Sequence, residues 1–158
     1  MRKPLLILLA LCLSAGFATA GDQEEWIDMA NCDMCGSVAA KPEMMQKIDW
    51  SYYVIDGGMM SVCVVPDAYT EDWRAVRAAM HATGEKMMAG EKMQLCGLCT
   101  SMDQILHTDT AAMEVVETTA GEVTLITSTD AETIGMIHEH AKRLISELEK
   151  MAGASESG

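Results

Sequence analysis

Met29-Ala-Asn-Cys32-Asp-Met-Cys35 and Met93-Gln-Leu-Cys96-Gly-Leu-Cys99 write the spacing Met-x-x-Cys-x-x-Cys twice in one chain. Thiolates three residues apart converge on one ion, and a helix starting just after them stabilises the thiolate form. The ligand set expected for a soft or borderline ion is therefore Cys32, Cys35, Cys96 and Cys99, with Met29 and Met93 as auxiliary thioethers. Cu(I) and Zn(II) both suit that set. If the two pairs meet, they offer a four-thiolate tetrahedron; if they do not, each is a separate two-sulfur site.

Two other chemistries use the same residues. A dithiol–disulfide couple needs a lowered thiol pKa, which a helix N-terminus supplies. A purely structural disulfide is the third reading. Within one Cys-x-x-Cys it would close a very small loop and constrain the unfolded chain little, so a staple would serve better between Cys32 or Cys35 and Cys96 or Cys99. Haem attachment is excluded, because Gly36 and Thr100 stand where Cys-x-x-Cys-His requires histidine. A thioredoxin-like site wants a strand leading into the cysteines and a proline facing them, and neither is evident. No nucleophile elbow, phosphate loop or His-Glu-x-x-His motif appears, so binding rather than catalysis is expected.

The remaining candidates are reserves. Cys63 falls in a strand-like run and is expected to be a small buried apolar residue. His138 and His140 stand about 200° apart on a helix and cannot easily share an ion; His138 is expected as a satisfied helix-flank residue, and His107 is the better reserve ligand. Most of the fifteen methionines are expected to fill the core, because aromatics make up only 4% of the chain.

Composition limits the partners. Met1-Arg-Lys-Pro, the apolar stretch Leu5 to Leu13, and Ala18-Thr19-Ala20 predict a signal peptide over residues 1–20. Its removal deletes Arg2 and Lys3 and moves the formal charge from −13 to −15. Such acidity argues against nucleic acid and anionic lipid, and no later stretch is long and apolar enough for a membrane span. A periplasmic or secreted protein is expected, with a metal ion and a periplasmic protein as the partners to consider.

Two copies of one unit must position the cysteines. Aligning the pairs also brings Gly57-Gly58 against Ala120-Gly121 and Asp67-Ala68 against Asp130-Ala131, which reads as an internal duplication. The copies span 26–90 and 91–151 within a single domain of 21–151, followed by a disordered tail over 152–158. In the first copy, a short helix follows Cys35 and Pro42 interrupts or restarts it. Trp50 to Ile55 and Met59 to Val65 read as a hairpin, and Thr70 caps a helix with Trp73, Val76, Met80, Thr83 and Met87 on its apolar stripe. In the second, a helix over Ser101 to His107 precedes strands at Met113 to Thr118 and Glu122 to Thr127. Thr129 and Glu132 form a capping box for a last helix whose stripe is Ile134, Ile137, Ala141, Leu144, Ile145 and Leu148.

The expected fold class is α+β, a four-stranded antiparallel sheet covered by helices on one face; the alternative is two halves related to ferredoxin-like units. The order of elements resembles the heavy-metal-associated domain, a ferredoxin-like fold with a cysteine pair at the start of its first helix. That family's motif, Met-x-Cys-x-x-Cys, is one residue tighter, and its first strand has no counterpart before Cys32 or Cys96. In a shared sheet, pairing through the first strands should bring the cysteine pairs together. Pairing through the second strands should leave them apart.

Overall fold

The computed structural model describes residues 25–155. The chain forms α1 (Gly36–Ala39), α2 (Pro42–Met45), β1 (Asp49–Ile55), β2 (Gly58–Val64), a 3-10 turn (Asp67–Tyr69) and α3 (Thr70–Met88). It continues with α4 (Gly97–Leu106), β3 (Ala111–Thr118), β4 (Gly121–Ser128) and α5 (Ala131–Ser155). The expected signal peptide, residues 1–20, lies outside the described residues. α5 carries helix through to Ser155, into the stretch 152–158 expected as a tail, of which 156–158 lie outside the described residues.

The four strands make one antiparallel sheet in the order β1-β2-β4-β3, as the α+β reading requires. The hairpins meet through their second strands, with Ser61 opposite Thr124 and Val62 opposite Val123. Two glycines permit this junction. Gly58 (φ 153°) and Gly121 (φ 144°) adopt backbone conformations that L side chains avoid. A Cβ on Gly58 would run into the Ile126 carbonyl, and one on Gly121 into that of Cys63. Each glycine thus opens its own strand and lets the opposite hairpin's strand close on it.

Strand alternation sends Tyr52, Met59, Cys63 and Ile126 to one face, and every helix packs there. Under α5, Ile137, Ala141 and Leu144 bury against Met59, Ile126, Ile105 and Trp26. Under α3, Trp73 and Val76 bury against Cys63, Val65, Met44 and Ile48. Fully burying each large aliphatic side chain contributes about 1.5–3 kcal/mol, so these two clusters anchor both long helices to the same side. Among the described methionines Met44 and Met59 are buried while Met88, Met113 and Met151 are exposed, so methionine fills part of the core but most of it does not enter, contrary to expectation. The opposite face presents Tyr53, Met60, Val62, Val116, Val123 and Leu125.

Helix ends meet expectation in one place and depart from it in two. Pro42 restarts the helix at its first turn, one of the two options foreseen. Tyr69, not Thr70, precedes α3, because the 3-10 turn over Asp67–Tyr69 feeds directly into it. At α5 the cap is Asp130 rather than Thr129: Thr133 N–H and Thr133 Oγ1 both donate to Asp130 Oδ2, at 2.9 and 3.0 Å. Those bonds hold the Asp130 carboxyl below the usual carboxylate range.

Candidate metal centre

The sulfur atoms of Cys32, Cys35, Cys96 and Cys99 all lie within 4.8 Å of one another. Cys32, Cys35 and Cys96 are buried and Cys99 is half-buried. Second-strand pairing therefore does not keep the pairs apart, contrary to the sequence argument. The cysteines do not sit at strand ends, where strand order would govern them. They lie on loops whose helices lead inward, α1 packing on α3 and α4 packing on α5, so the loops meet within the helical layer.

Local structure fixes each loop. Cys35 N–H donates to the Cys32 carbonyl at 3.1 Å, closing a tight turn, and the Cys35 carbonyl then accepts from Val38 and Ala39. In the second loop the helix begins earlier than Ser101. Cys96 is its N-cap residue, with its carbonyl accepting Thr100 N–H at 2.9 Å. Cys99 consequently falls inside the first turn of the ten-residue α4, where free amide groups and the helix dipole favour an anion.

Gly97 explains the earlier start. A Cβ there would collide with the indole of Trp26, and the Trp26 carbonyl accepts Leu98 N–H at 2.9 Å. Trp26 is in turn held by Arg143, 4.7 Å over its ring, and by an edge contact with His140. The loops are also tied to each other: Asp33 N–H donates to the Gln94 carbonyl at 2.8 Å, and Gln94 N–H donates to Asp33 Oδ2 at 2.7 Å.

One sulfur contact is shorter than the rest of the geometry demands. Cys35 Sγ and Cys99 Sγ are 3.3 Å apart. The Cys99 thiol donates to Cys35, which holds Cys35 below the ordinary thiol range and makes Cys99 keep its proton. The two sulfurs thus hold one proton between them.

The methionines divide. Met29 packs against the cysteine cluster as foreseen, and Met34, which sequence reasoning passed over, packs there too along with Leu95 and Leu98. Met93 is half-buried and is not among the residues packed on the cluster. The repeated spacing points to Met29 and Met93 together, whereas the apolar residues packed on the thiols are Met29 and Met34 around the first pair and Leu95 and Leu98 around the second.

The histidines stand away from the sulfur cluster. His138 Nε2 meets the Ile55 carbonyl at 2.9 Å, the satisfied flank expected of it. His107 Nδ1 is 2.9 Å from the Asp103 carbonyl, and His81 lies 3.7 Å from Glu85. His140 is the surprise. It is buried, with Nδ1 3.0 Å from Ser101 Oγ, and burial pushes its pKa down to about 4. Cys63 is buried in the other cluster, and desolvation pushes its thiol up to about 12, consistent with an inert core residue.

Comparison with protein-family models, curated proteins and solved structures finds no match. Function has to be argued from the site. Four cysteine sulfurs gathered in this space could hold a metal ion, and among the described residues no helix is long and apolar enough to cross a membrane.

Proposed function

We propose that Cys32, Cys35, Cys96 and Cys99 bind one metal ion, and that the protein is an exported metal-binding protein for carriage, buffering or sensing. The observation that carries this is the convergence of four sulfurs to within 4.8 Å. A tetrahedron of Zn–S bonds of ~2.3 Å has sulfur–sulfur edges of ~3.8 Å, so only a small adjustment of the side chains would seat the ion. Zn(II) is the best fit to four converging thiolates. Cu(I) is the alternative, held by part of the same sulfur set with Met29 or Met34 close by. Met93 is the weakest of the proposed ligands.

The site's physics fits exchange as well as holding. Three buried cysteines give a dry, low-dielectric cage, and half-buried Cys99 leaves one sulfur open to an incoming ion. A cation would relieve the crowding that makes Cys35 and Cys99 share a proton. Export is proposed from the basic start and apolar stretch of residues 1–20, and a protein partner for metal transfer remains part of the same proposal. The test is metal analysis of protein purified from the periplasm, against a variant with serine at all four positions. One ion per chain, lost in the variant, is expected; equal metal in both would refute the reading.

A thiol–disulfide function is the second reading, favoured by the 3.3 Å contact between Cys35 and Cys99. Its test is alkylation rate against pH. A redox catalyst requires a reactive thiol well below ~8.5, and uniformly unshifted reactivity would exclude it.

A further inference from the structure

We infer that Cys35 and Cys99 are the pair that closes into a disulfide under oxidation, and that this bond empties the metal site while keeping its two loops joined. The release of metal rests on the four-thiolate reading above; the identity of the bonded pair does not.

The pairing follows from position. The two sulfurs are 3.3 Å apart, so closing them to a disulfide of ~2.05 Å takes a shift of little more than an ångström. Within-pair closure is the alternative that the sequence spacing suggests. It would add no covalent tie between the two loops, which then hold together through the Asp33–Gln94 hydrogen bonds and apolar packing, whereas the Cys35–Cys99 bond spans 64 positions and ties one half of the chain to the other. A long loop also removes far more freedom from the unfolded chain than a four-residue one. Among the four cysteines Cys99 is the half-buried one, which gives an oxidant its point of entry.

The chemistry balances with a small-molecule disulfide as oxidant. As the shared proton passes to Cys35, the Cys99 thiolate so formed attacks one sulfur of the small disulfide, giving a mixed disulfide and a small thiolate that takes the proton from Cys35 and leaves as the first small thiol. The Cys35 thiolate then attacks Cys99 Sγ, forming the protein disulfide and expelling the second small thiol. Two protein thiols are oxidised, and one small disulfide is reduced to two thiols. Cys32 and Cys96 remain as the only thiols of the site, too few for a closed four-coordinate zinc centre. A mobile thiol–disulfide poise could thus set metal occupancy without letting the loops part.

The experiment uses the full-length protein, metal-free and zinc-loaded, treated with oxidised glutathione, alkylated, cut with trypsin and mapped by mass spectrometry. Trypsin separates the segment carrying Cys32 and Cys35 from that carrying Cys96 and Cys99. The expected product is a cross-linked peptide pair assigned by fragmentation to Cys35–Cys99, with one zinc released per bond and zinc rebinding after reduction. Predominant Cys32–Cys35 and Cys96–Cys99 products, or glutathione adducts with no cross-link, would overturn the inference. A Cys35–Cys99 bond in a protein that binds no zinc would leave the pairing standing and refute the metal reading instead.

Discussion

Asp33 and Gln94 exchange two hydrogen bonds, one in each direction, at 2.8 and 2.7 Å. Asp33 lies between the cysteines of the first pair, and Gln94 stands two residues before the second. Here the two loops grip each other through polar groups rather than through sulfur, which should preorganise the thiols.

Asp33→Ala removes the side-chain half of that grip. The expected loss of stability is about 1 kcal/mol in the metal-free protein, and metal affinity should fall about tenfold, as when a supporting partner of a metal ligand is removed. Asp33→Asn keeps an acceptor oxygen and should recover most of both. Competition titration with a chromophoric chelator checks the affinity, and an affinity unchanged in Asp33→Ala would show that the loops are set by other contacts.

Gly97→Ala puts a methyl group into the Trp26 indole. At an unobstructed helix position the same change would help by up to about 1 kcal/mol. Here the expected sign is reversed, a loss of about 1–3 kcal/mol from overpacking. Thermal unfolding of the metal-free protein decides the sign, and a raised Tm would contradict the packing argument.

Gly58→Ala and Gly121→Ala should each cost about 3 kcal/mol, from backbone strain together with collision on a carbonyl of the neighbouring strand. The two losses should be similar, because the glycines occupy equivalent places in the β2–β4 junction. Urea unfolding of both variants measures this. A loss confined to one glycine would mean that the junction is uneven.

Burial of His140 sets a pH dependence. Its imidazole titrates near 6.5 in an unfolded chain and is pushed down to about 4 in the fold. Between those values the unfolded chain binds a proton that the folded chain refuses. Stability should therefore fall as pH drops from about 6.5 to about 4, by on the order of 3 kcal/mol, and should not respond to this group above that window. His140→Gln should flatten that slope. A slope unchanged in the variant would assign the acid sensitivity elsewhere.

Much of this was legible in the sequence where local chemistry decides structure. The hairpin turns at Asp56-Gly57 and Thr119-Ala120, the restart at Pro42, and the stripe of Ile137, Ala141 and Leu144 depend on near neighbours, and the fold honours them. Long-range choices were not legible. Strand order was open because both edges of each hairpin are apolar enough to pair, and the helix leads that bring Cys32-Cys35 to Cys96-Cys99 are set by tertiary packing. In sequence His140 reads as a polar neighbour of the α5 stripe. Only the position of Ser101 and Trp26 in space makes it a buried residue. Repetition in sequence points to Met93 and not to Met34, whereas the turn from Cys32 to Cys35 packs Met34 on the cluster.

The most direct measurement of the central claim is X-ray absorption at the zinc edge on reduced protein loaded with one equivalent of Zn(II). Four thiolates from the two loops predict a first shell of four sulfur scatterers at ~2.3 Å and no nitrogen or oxygen. A shell with two sulfurs completed by lighter atoms would contradict the account, because it would mean that Cys32-Cys35 and Cys96-Cys99 do not share one ion.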